Sequence, residues 1–578
     1  MKINSFQKNI RIIFCFIVFF ALIMVVRLYF LQVVKGQNYA DIVDKQYTVR
    51  SAKIFDRGSI FFKDKSENLI SAASLNTGYV LALNIKTMST DTDMYYKKIS
   101  EIIPIDAGTF YSKVSKVNDP YEEIARKISE EDIEKIDSLN LSGVIIEKEN
   151  WRYYPGGSLA SNLVGFVGFD DRGTDLVGRY GLEKYYNENL KRDEQGLYMN
   201  AFAEIFSNIN KNFIQDKDRE GDIITTIDPE VQGYMEKIID TTNKKWSSKL
   251  TGAIVINPNT GEIYSMAVSP TFDLNDFKKE TNVSVFSNPL ISDAYEMGSI
   301  IKPLTMAAGL DDGAVTANTT YNDKGFLEID GKTIYNFDKK GRGVIKMQEV
   351  LNNSLNTGVT FVMNSLGKEK FLEYFQAYGI GSETGIDLPA EASGNIGNLL
   401  NNLTNNKKIE YATASYGQGI SMTPIITVKA LSVLANGGKL IIPHVVSNID
   451  YKVGLSKNIS YVNESKQVIK KETSEEISRM LVNVVDESYK SIKMEHYSIA
   501  AKTGTAQIAR PAKEGGGYYS DKYLHSFFGY LPAYNPKFLV FLYTVEPKNV
   551  NFASQTLTGP FHDIANFLIN YYEIPPDR

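Results

Sequence analysis

Residues 298–302 of this 578-residue chain read Gly298-Ser299-Ile300-Ile301-Lys302, and an almost entirely apolar stretch from Leu304 to Leu310 follows them. This pattern predicts the start of a helix that is apolar on all sides and therefore lies in a core. Ser299 and Lys302 are three residues apart, so both face the same side of that helix. Burial disfavours the charged form of a lysine, which would let Lys302 take the serine proton. The alternative is a helix-capping serine beside an unrelated lysine.

A second motif, Ser354-Leu355-Asn356, lies in a turn-prone segment rich in asparagine. The Ser354 hydroxyl can relay a proton, and the Asn356 amide can orient a substrate carbonyl or Lys302. The alternative is a loop in which both side chains make only local hydrogen bonds.

A third motif, Lys502-Thr503-Gly504-Thr505, lies among small residues in a segment that reads as a strand. Gly504 would let a substrate backbone approach closely, and an extended peptide could add to the strand through main-chain hydrogen bonds. Thr503 and Thr505 could bind a terminal carboxylate beside the charge of Lys502. The alternative is an edge strand with a protective lysine.

The order of the three motifs indicates acyl transfer through a serine ester. Each motif is weak alone, because Ser-x-x-Lys also occurs at Ser5–Lys8 and Ser365–Lys368. Ser365 stays a second candidate by spelling, since Ser393-Gly394-Asn395 and Ser456-Lys457-Asn458 follow it. Ser299 is favoured by the preceding glycine and by the apolar helix that follows the lysine.

Composition excludes several other classes of protein. A chain of this length predicts roughly two to four domains. The net charge of -5, without a concentrated basic stripe, argues against a nucleic-acid partner. The single cysteine, Cys15, excludes an internal disulfide and a cysteine-based metal cluster. The four histidines form no close-spaced ligand pair, so we expect neither a metal nor another cofactor.

The N-terminal segment predicts a membrane anchor. The stretch from Ile12 to Val34 is almost entirely apolar and exceeds the roughly 20 residues that cross a bilayer core. Lys2, Lys8 and Arg11 precede it, which predicts a cytoplasmic N-terminus and an extracytoplasmic remainder. A cleaved signal peptide is the competing interpretation. Arg27, inside the segment, either snorkels to the headgroups or contacts a partner membrane helix.

The rest of the pattern predicts an α+β protein. Residues 91–138 are rich in charge and read as helical, and Asp228-Pro229 reads as the start of a helix that continues to Lys244. Strand-like runs occur early and late in the second half, with helical segments between them. We therefore expect one antiparallel sheet, built from both ends of a domain and packed against helices. The runs are Ala253–Asn257, Glu262–Val268, Ser498–Ile508, Ser526–Leu531 and Phe538–Val545.

Beyond these motifs, the chain resembles the class B penicillin-binding proteins, which are membrane-anchored peptidoglycan D,D-transpeptidases, and among them the division-type branch. The resemblance runs nearly end to end, although Met297 stands where the family usually has proline. The stretches that carry it are Arg27–Gln32, Arg57–Ile60, Arg152–Pro155, Gly178–Glu183, Thr226–Pro229, Asn257–Glu262, Tyr295–Ser299, Tyr416–Gly419, Thr423-Pro424 and Ser526–Gly529.

The apolar run and the basic residues before it predict a cytoplasmic tail at 1–11 and a transmembrane anchor at 12–34. The resemblance implies that a β-rich non-catalytic pedestal at 45–245 and a transpeptidase domain at 246–578 follow. It implies that Ser299 is acylated by a stem peptide, with Lys302 as the base. Ser354 and Asn356 would relay protons and hold substrate. Lys502, with Thr503, Gly504 and Thr505, would bind the substrate carboxylate.

The resemblance also implies partners and a location. The substrates are peptidoglycan stem peptides, and β-lactam antibiotics are inhibitors. A multi-pass membrane glycan polymerase and other division or elongation proteins are the expected partners at the bacterial cell membrane. Two other functions remain open from sequence: a membrane-bound β-lactam sensor or β-lactamase, and a non-catalytic division scaffold. The choice between division and elongation is also open.

Overall fold

The computed structural model describes residues 55–578 except 117–120, 174, 193–219, 406 and 453, together with the single residue Met24. The predicted anchor at 12–34 therefore lies outside the described residues apart from Met24. Within the described part, no helix combines the length and the apolarity needed to cross a membrane. The described residues form two compact units: 77–151 together with Phe55, and a larger one of 56–76 and 152–578.

The smaller unit packs helices against short strands. Its strand Glu122–Ile128 pairs antiparallel with the second half of strand Leu69–Leu83. Its core contains Leu81, Tyr95, Phe110 and Ile133. The remaining elements are helices Thr92–Ser100, Ala107–Val114 and Glu130–Asp137 and strand Val144–Tyr153.

The larger unit contains the predicted sheet. Five antiparallel strands lie in the order Ala500–Ala509, Tyr518–Leu531, Phe538–Val545, Leu250–Ile256, Ile263–Ser269. Side chains alternate between its faces, as in any strand. One face packs against helices Pro229–Trp246 and Thr558–Tyr571, and the other against the helical cluster that carries Ser299. The prediction of one antiparallel sheet built from both ends of the domain is confirmed.

The helix predicted at Asp228-Pro229 is also confirmed. It runs from Pro229 to Trp246, and the Asp228 carboxylate accepts hydrogen bonds from the N–H groups of Glu230 and Val231.

The larger unit contains further α-helices and several short 3₁₀ turns. Its other α-helices are Ser161–Val164, Gly181–Tyr185, Asn187–Leu190, Pro289–Ser292, Lys302–Asp311, Met347–Asn352, Asn356–Leu366, Lys368–Ala377, Gly397–Asn401, Ile409–Ala414, Pro424–Ala435, Lys471–Ser488, Ala553–Thr556 and Thr558–Tyr571. The 3₁₀ turns are Phe277–Lys279, Val283–Phe286, Gly298–Ile301, Val462–Glu464, Lys490–Ile492 and Ala512–Glu514.

A second sheet in the larger unit joins distant segments. It pairs Ile60–Lys63 with Gly221–Thr225 in parallel and Gly221–Thr225 with Val446–Tyr451 antiparallel. The first half of Leu69–Leu83 pairs antiparallel with Ile60–Lys63. The remaining short strands are Val167–Phe169, Leu176–Gly178, Thr320–Asp323, Phe326–Ile329, Lys332–Tyr335, Gly343–Lys346, Lys439–Leu440, Lys457–Asn458 and Lys466–Gln467.

Beside this second sheet, a buried ion cluster centres on Glu183. The Glu183 carboxylate lies 2.6 Å from the Nε of Arg57 and 2.5 Å from the Nε of Arg152. Glu183 is fully buried, and Arg57 and Arg152 are nearly so. Tyr154 donates its hydroxyl to the same carboxylate at 3.3 Å. Burial opposes ionisation of Glu183, but the two guanidinium groups together hold its pKa below the ordinary value.

Candidate active site

Ser299 lies in a 3₁₀ turn, Gly298–Ile301, that leads directly into the α-helix Lys302–Asp311. Nearly all of that helix is buried, so the expectation of a core helix is confirmed. Side chains three residues apart eclipse each other in a 3₁₀ turn, which places Ser299 and Lys302 on one side. Ser299 is partly buried. Its hydroxyl makes no hydrogen bond to any described residue, Lys302 included.

The turn before Ser299 packs directly on the strand that carries Lys502. Gly298 has a φ of +64°, and a Cβ added there would lie 3.0 Å from the backbone oxygen of Thr505. At Gly504 an added Cβ would lie 2.7 Å from the backbone oxygen of Met297. The two glycines therefore let the nucleophile turn and the strand approach each other at backbone distance.

Lys302 is 1% exposed, and its Nζ donates to Ser354 twice. One bond goes to the Ser354 backbone oxygen, and the other goes to the Oγ at 3.1 Å. Burial, together with the nearby charge of Lys502, holds the pKa of Lys302 well below its ordinary value. A neutral amine keeps two N–H donors and one lone pair. Lys302 can therefore donate to Ser354 and still accept a proton.

Ser354 connects the two lysines of the motifs. It lies between helices Met347–Asn352 and Asn356–Leu366 with a φ of +53°, an unusual conformation for a residue other than glycine. Its Oγ lies 3.1 Å from the Nζ of Lys302 and 3.0 Å from the Nζ of Lys502. One hydroxyl therefore bridges the two amines, as a proton relay requires.

Asn356 is the first residue of its helix, and its amide nitrogen donates to the backbone oxygen of Tyr335 at 2.8 Å. The amide therefore anchors the strand Lys332–Tyr335 to this helix. The option that Asn356 orients Lys302 through a hydrogen bond is not realised in the structure, because the amine of Lys302 donates to Ser354 instead.

Lys502 is fully buried on the strand Ala500–Ala509, at the end of the central sheet. Its Nζ donates to the Oγ of Ser354 at 3.0 Å, the Oη of Tyr489 at 3.2 Å and the backbone oxygen of Thr503 at 3.2 Å. These three acceptors match the three N–H groups of an ammonium ion.

Thr503 and Thr505 are partly exposed, whereas Lys502 and Gly504 are buried on the same strand. The Oγ1 of Thr503 lies 2.9 Å from the Oη of Tyr489, and the Oγ1 of Thr505 accepts a hydrogen bond from the N–H of Ala553 at 3.1 Å. The two hydroxyls thus line the accessible side of the strand next to the nucleophile turn.

Tyr489 is the residue that sequence reasoning missed. It follows the helix Lys471–Ser488 and brings its hydroxyl to Lys502 and Thr503. Burial raises the pKa of the phenol, but the charge of Lys502 and the hydrogen bonds with Thr503 and Lys502 outweigh burial, and the net shift is downward. No motif contains Tyr489, so the sequence alone offered no signal for it.

Among the described residues, the alternative nucleophile Ser365 has no lysine partner. Its hydroxyl donates to the backbone oxygen of Phe361 in its own helix. The Nζ of Lys368 donates to the backbone oxygens of Asn402, Leu403 and Asn405. Both side chains therefore have structural hydrogen bonds, and Ser365 lacks the relay that Ser299 has nearby.

A cleft of about 520 Å³ opens beside Asn356. The Tyr518 hydroxyl donates to the Glu296 carboxylate at 2.9 Å across its wall. Its lining carries both signs of charge and includes Glu296, Lys332, Tyr335, Glu410, Arg510 and Tyr518.

Models of two protein families match this chain. The penicillin binding protein transpeptidase domain matches residues 251–566, more than half of the chain. This chain belongs to the penicillin-binding protein transpeptidase family. The penicillin-binding protein dimerisation domain matches residues 56–212. The family resemblance inferred from sequence is thereby confirmed.

Relatives of this penicillin-binding protein cover nearly its full length. It is 31% identical to stage V sporulation protein D of Bacillus subtilis, over 96% of this chain and 84% of that protein. It is 26% identical to peptidoglycan D,D-transpeptidase FtsI of Buchnera aphidicola, over 100% of this chain and 97% of that protein. The structure of penicillin binding protein 2X from Streptococcus thermophilus shares its fold, with a TM-score of 0.72 and 19% identity over 90% of this chain and 81% of that one.

Proposed function

We propose that this protein is a peptidoglycan D,D-transpeptidase that cross-links stem peptides through an acyl-enzyme on Ser299. One observation carries the assignment of residues. The Ser354 hydroxyl lies within 3.1 Å of both Lys302 and Lys502, next to the turn that holds Ser299. Family membership supports the reaction, and the hydrogen bonds support these residues as its machinery.

Lys302 acts as the base in the acylation step. Its neutral amine accepts the Ser299 proton, and the Oγ attacks the carbonyl carbon of the penultimate D-alanine. Backbone N–H groups of Ser299 and Thr505 stabilise the oxyanion that forms. When the C–N bond breaks, the proton returns from Lys302 through the Ser354 hydroxyl to the amine of the departing D-alanine. The amine of a second stem then attacks the ester carbonyl carbon. The C–O bond to Ser299 breaks, the proton of the attacking amine passes through Lys302 to the Ser299 Oγ, and the new amide bond is the cross-link.

The strand Ala500–Ala509 binds the donor stem at its terminal carboxylate. The hydroxyls of Thr503 and Thr505 donate to that carboxylate, and the buried ammonium of Lys502 supplies positive charge. Gly504 keeps the strand close to the nucleophile turn. Asn356 holds the opposite wall through its bond to Tyr335.

Penicillin labelling tests the assignment of Ser299. A β-lactam carries a carboxylate beside a strained amide, and opening of its ring on Ser299 leaves a stable ester. We expect mass spectrometry of proteolytic fragments to place the adduct on the peptide that contains Ser299. Ser299→Ala should abolish labelling, whereas the control Ser365→Ala should label like the wild type. An adduct on Ser354 or Ser365, or labelling of Ser299→Ala, would contradict the assignment.

The lifetime of the same adduct separates a transpeptidase from a β-lactamase. A transpeptidase lacks a group that activates water against the ester. We therefore expect hydrolysis of the adduct to be many times slower than its formation. Rapid release of opened antibiotic with multiple turnovers would favour the β-lactamase instead.

We also propose that residues 12–34 form a single-pass anchor with a cytoplasmic N-terminus, and that residues 45–245 form a pedestal for a catalytic domain at 246–578. The anchor and pedestal would recruit a multi-pass membrane glycan polymerase, and we propose that they do so at division. Replacing residues 10–34 with an unrelated single-pass anchor should preserve penicillin labelling but weaken co-purification of the polymerase. Co-purification of the polymerase at the wild-type level would show that the anchor holds the protein in the membrane but does not bind the polymerase.

A further inference from the structure

Tyr489 follows the helix Lys471–Ser488, contacts the active-site strand through its hydroxyl, and belongs to none of the three motifs. Its Oη lies 3.2 Å from the Nζ of Lys502, 2.9 Å from the Oγ1 of Thr503 and 3.4 Å from the backbone N of Thr503. One phenol therefore contacts both the buried cation and one of the hydroxyls assigned to carboxylate binding.

The number of available protons fixes the direction of these hydrogen bonds. As an ammonium ion, Lys502 has three N–H donors and no lone pair. Its three partners are the Oγ of Ser354, the backbone oxygen of Thr503 and the Oη of Tyr489. The Tyr489 oxygen is therefore an acceptor from Lys502. The backbone N–H of Thr503 also donates to it, at a longer distance.

The single proton of Tyr489 then has one described acceptor, the Oγ1 of Thr503. A hydroxyl that accepts from Tyr489 still has its own proton to donate, and Thr503 is partly exposed on the substrate side. The chain of hydrogen bonds from Lys502 to Tyr489 and from Tyr489 to Thr503 therefore leaves the Thr503 hydroxyl free to donate its proton towards the substrate. Without the phenol, the Thr503 hydroxyl loses the hydrogen bond that fixes its orientation.

We propose that Tyr489 is a positioning residue that orients the Thr503 hydroxyl as a hydrogen-bond donor to the terminal carboxylate of the substrate. This inference rests on the proposed function and adds a determinant of its specificity. It makes the preference for a free carboxylate over an ester depend on Tyr489, which acts through its hydrogen bond to Thr503. A residue that only fills space behind the strand would tolerate phenylalanine, since the ring would remain.

The test compares one penicillin as its free acid and as its methyl ester. In Tyr489→Phe we expect acylation of Ser299 by the acid to slow by roughly ten-fold, the usual effect of losing a hydrogen bond to a charged group. Acylation by the ester should change less than about two-fold, because the ester cannot receive the same charge-assisted bond. Tyr497→Phe is the matched control, since it loses only a hydroxyl bond to the backbone oxygen of Ile574.

A double-mutant cycle tests the route through Thr503. In a Thr503→Val background, Tyr489→Phe should have no further effect on acylation by the acid. The proposal is overturned if Tyr489→Phe matches the wild type, if it slows both forms of the penicillin equally, or if its effect persists in Thr503→Val. The proposed function fails by a different result, namely absence of an adduct on Ser299 in the wild-type protein.

Discussion

At the scale of single residues, the site depends on two lysines that share one hydroxyl. The Nζ atoms of Lys302 and Lys502 lie 3.1 Å and 3.0 Å from the Oγ of Ser354. Two positive charges this close disfavour each other. Burial, together with the repulsion that a protonated Lys302 would experience from Lys502, lowers the pKa of Lys302.

This pair predicts the pH dependence of acylation. The base must be unprotonated, so the acylation rate should fall as pH falls through the pKa of Lys302, which lies well below the ordinary value for lysine. Lys502→Gln removes a neighbouring positive charge, which should raise the pKa of Lys302 and move the inflection to higher pH. The measurement is the penicillin acylation rate of both proteins against pH. An inflection that stays in place or moves to lower pH would contradict this electrostatic coupling.

A second residue makes stability depend on pH. His525 is fully buried opposite Thr505, and its Nδ1 lies 3.0 Å from the Oγ1 of Thr556. Burial lowers the pKa of His525 to about 4. The unfolded chain therefore binds a proton between pH 6.5 and about 4 that the folded protein does not, so stability falls as pH falls through this range. The full effect is about 3 kcal/mol.

Urea unfolding at pH 7 and pH 4.5 measures this effect. The free energy of unfolding should decrease less on acidification in His525→Asn than in the wild type, because the asparagine does not titrate. Equal losses in the two proteins would assign the acid sensitivity to other groups.

The sequence predicted the site residues that carry motifs, but not those that act through tertiary contact. Lys302, Ser354 and Lys502 were named from spacing, and the structure brings all three together. Tyr489 contacts Lys502 because the helix Lys471–Ser488 ends beside the strand Ala500–Ala509. No local sequence pattern predicts this tertiary contact. The bond from Asn356 to the Tyr335 carbonyl was missed for the same reason.

At the scale of elements, the close contact between the nucleophile turn and the strand Ala500–Ala509 sets the site. Gly504 is the point of closest approach, since an added Cβ would lie 2.4 Å from the Oγ of Ser526 and 2.7 Å from the backbone oxygen of Met297. Such distances cannot be accommodated without moving the turn away from the strand.

Gly504→Ala should therefore slow penicillin acylation by about ten-fold or more, because misplaced catalytic groups lose transition-state stabilisation. It should also lower the free energy of unfolding by about 1–3 kcal/mol, as overpacking does. Gly559→Ala is the matched control: no atom of a described residue lies within 4 Å of its added Cβ, and the residue is helical. That variant should acylate normally and unfold at an equal or higher temperature. Normal acylation in Gly504→Ala would show that the contact is dispensable.

Elements with strong local signals were predicted well, and a charged strand was not. The strand Phe538–Val545 has the predicted bounds, and the helix from Pro229 follows from its capping aspartate. The prediction that residues 91–138 are helical is wrong for Glu122–Ile128, which is a strand. Its charges resemble a solvated helix face, but Arg126 pairs with Glu149 of a neighbouring strand while Ile124 and Ile128 are buried. Charge pairs between strands of this kind cannot be predicted from the local periodicity of the sequence.

At the scale of the whole molecule, the larger compact unit depends on buried charges that belong to none of the three motifs. Glu183 accepts hydrogen bonds from Arg57 and Arg152, which lie at the start of this unit and at the point where the chain re-enters it. The cluster therefore joins segments that are distant in sequence.

Glu183→Gln should destabilise the protein by about 3 kcal/mol or more, because two buried guanidinium groups would lose their counter-charge. Thermal unfolding measures the effect, and the fraction that remains folded should still acylate at the normal rate. Glu476→Gln is the control, since its pair with Arg479 is more exposed and should be worth less than about 1 kcal/mol. A Glu183→Gln protein as stable as the control would mean that the arginines find other partners.

The strand order of the central sheet also governs how a newly made chain reaches its fold. Leu250–Ile256 pairs on one side with Phe538–Val545, which is synthesised last among the five strands. Until that strand emerges from the ribosome, the early hairpin has an unpaired apolar edge. Such an edge can aggregate with other chains or be bound by chaperones. Pairing across so long an interval is slow to nucleate. A chain that terminates before Phe538 would lack the middle strand of its sheet. The strand that carries Lys502 would then not be held beside the turn that carries Ser299.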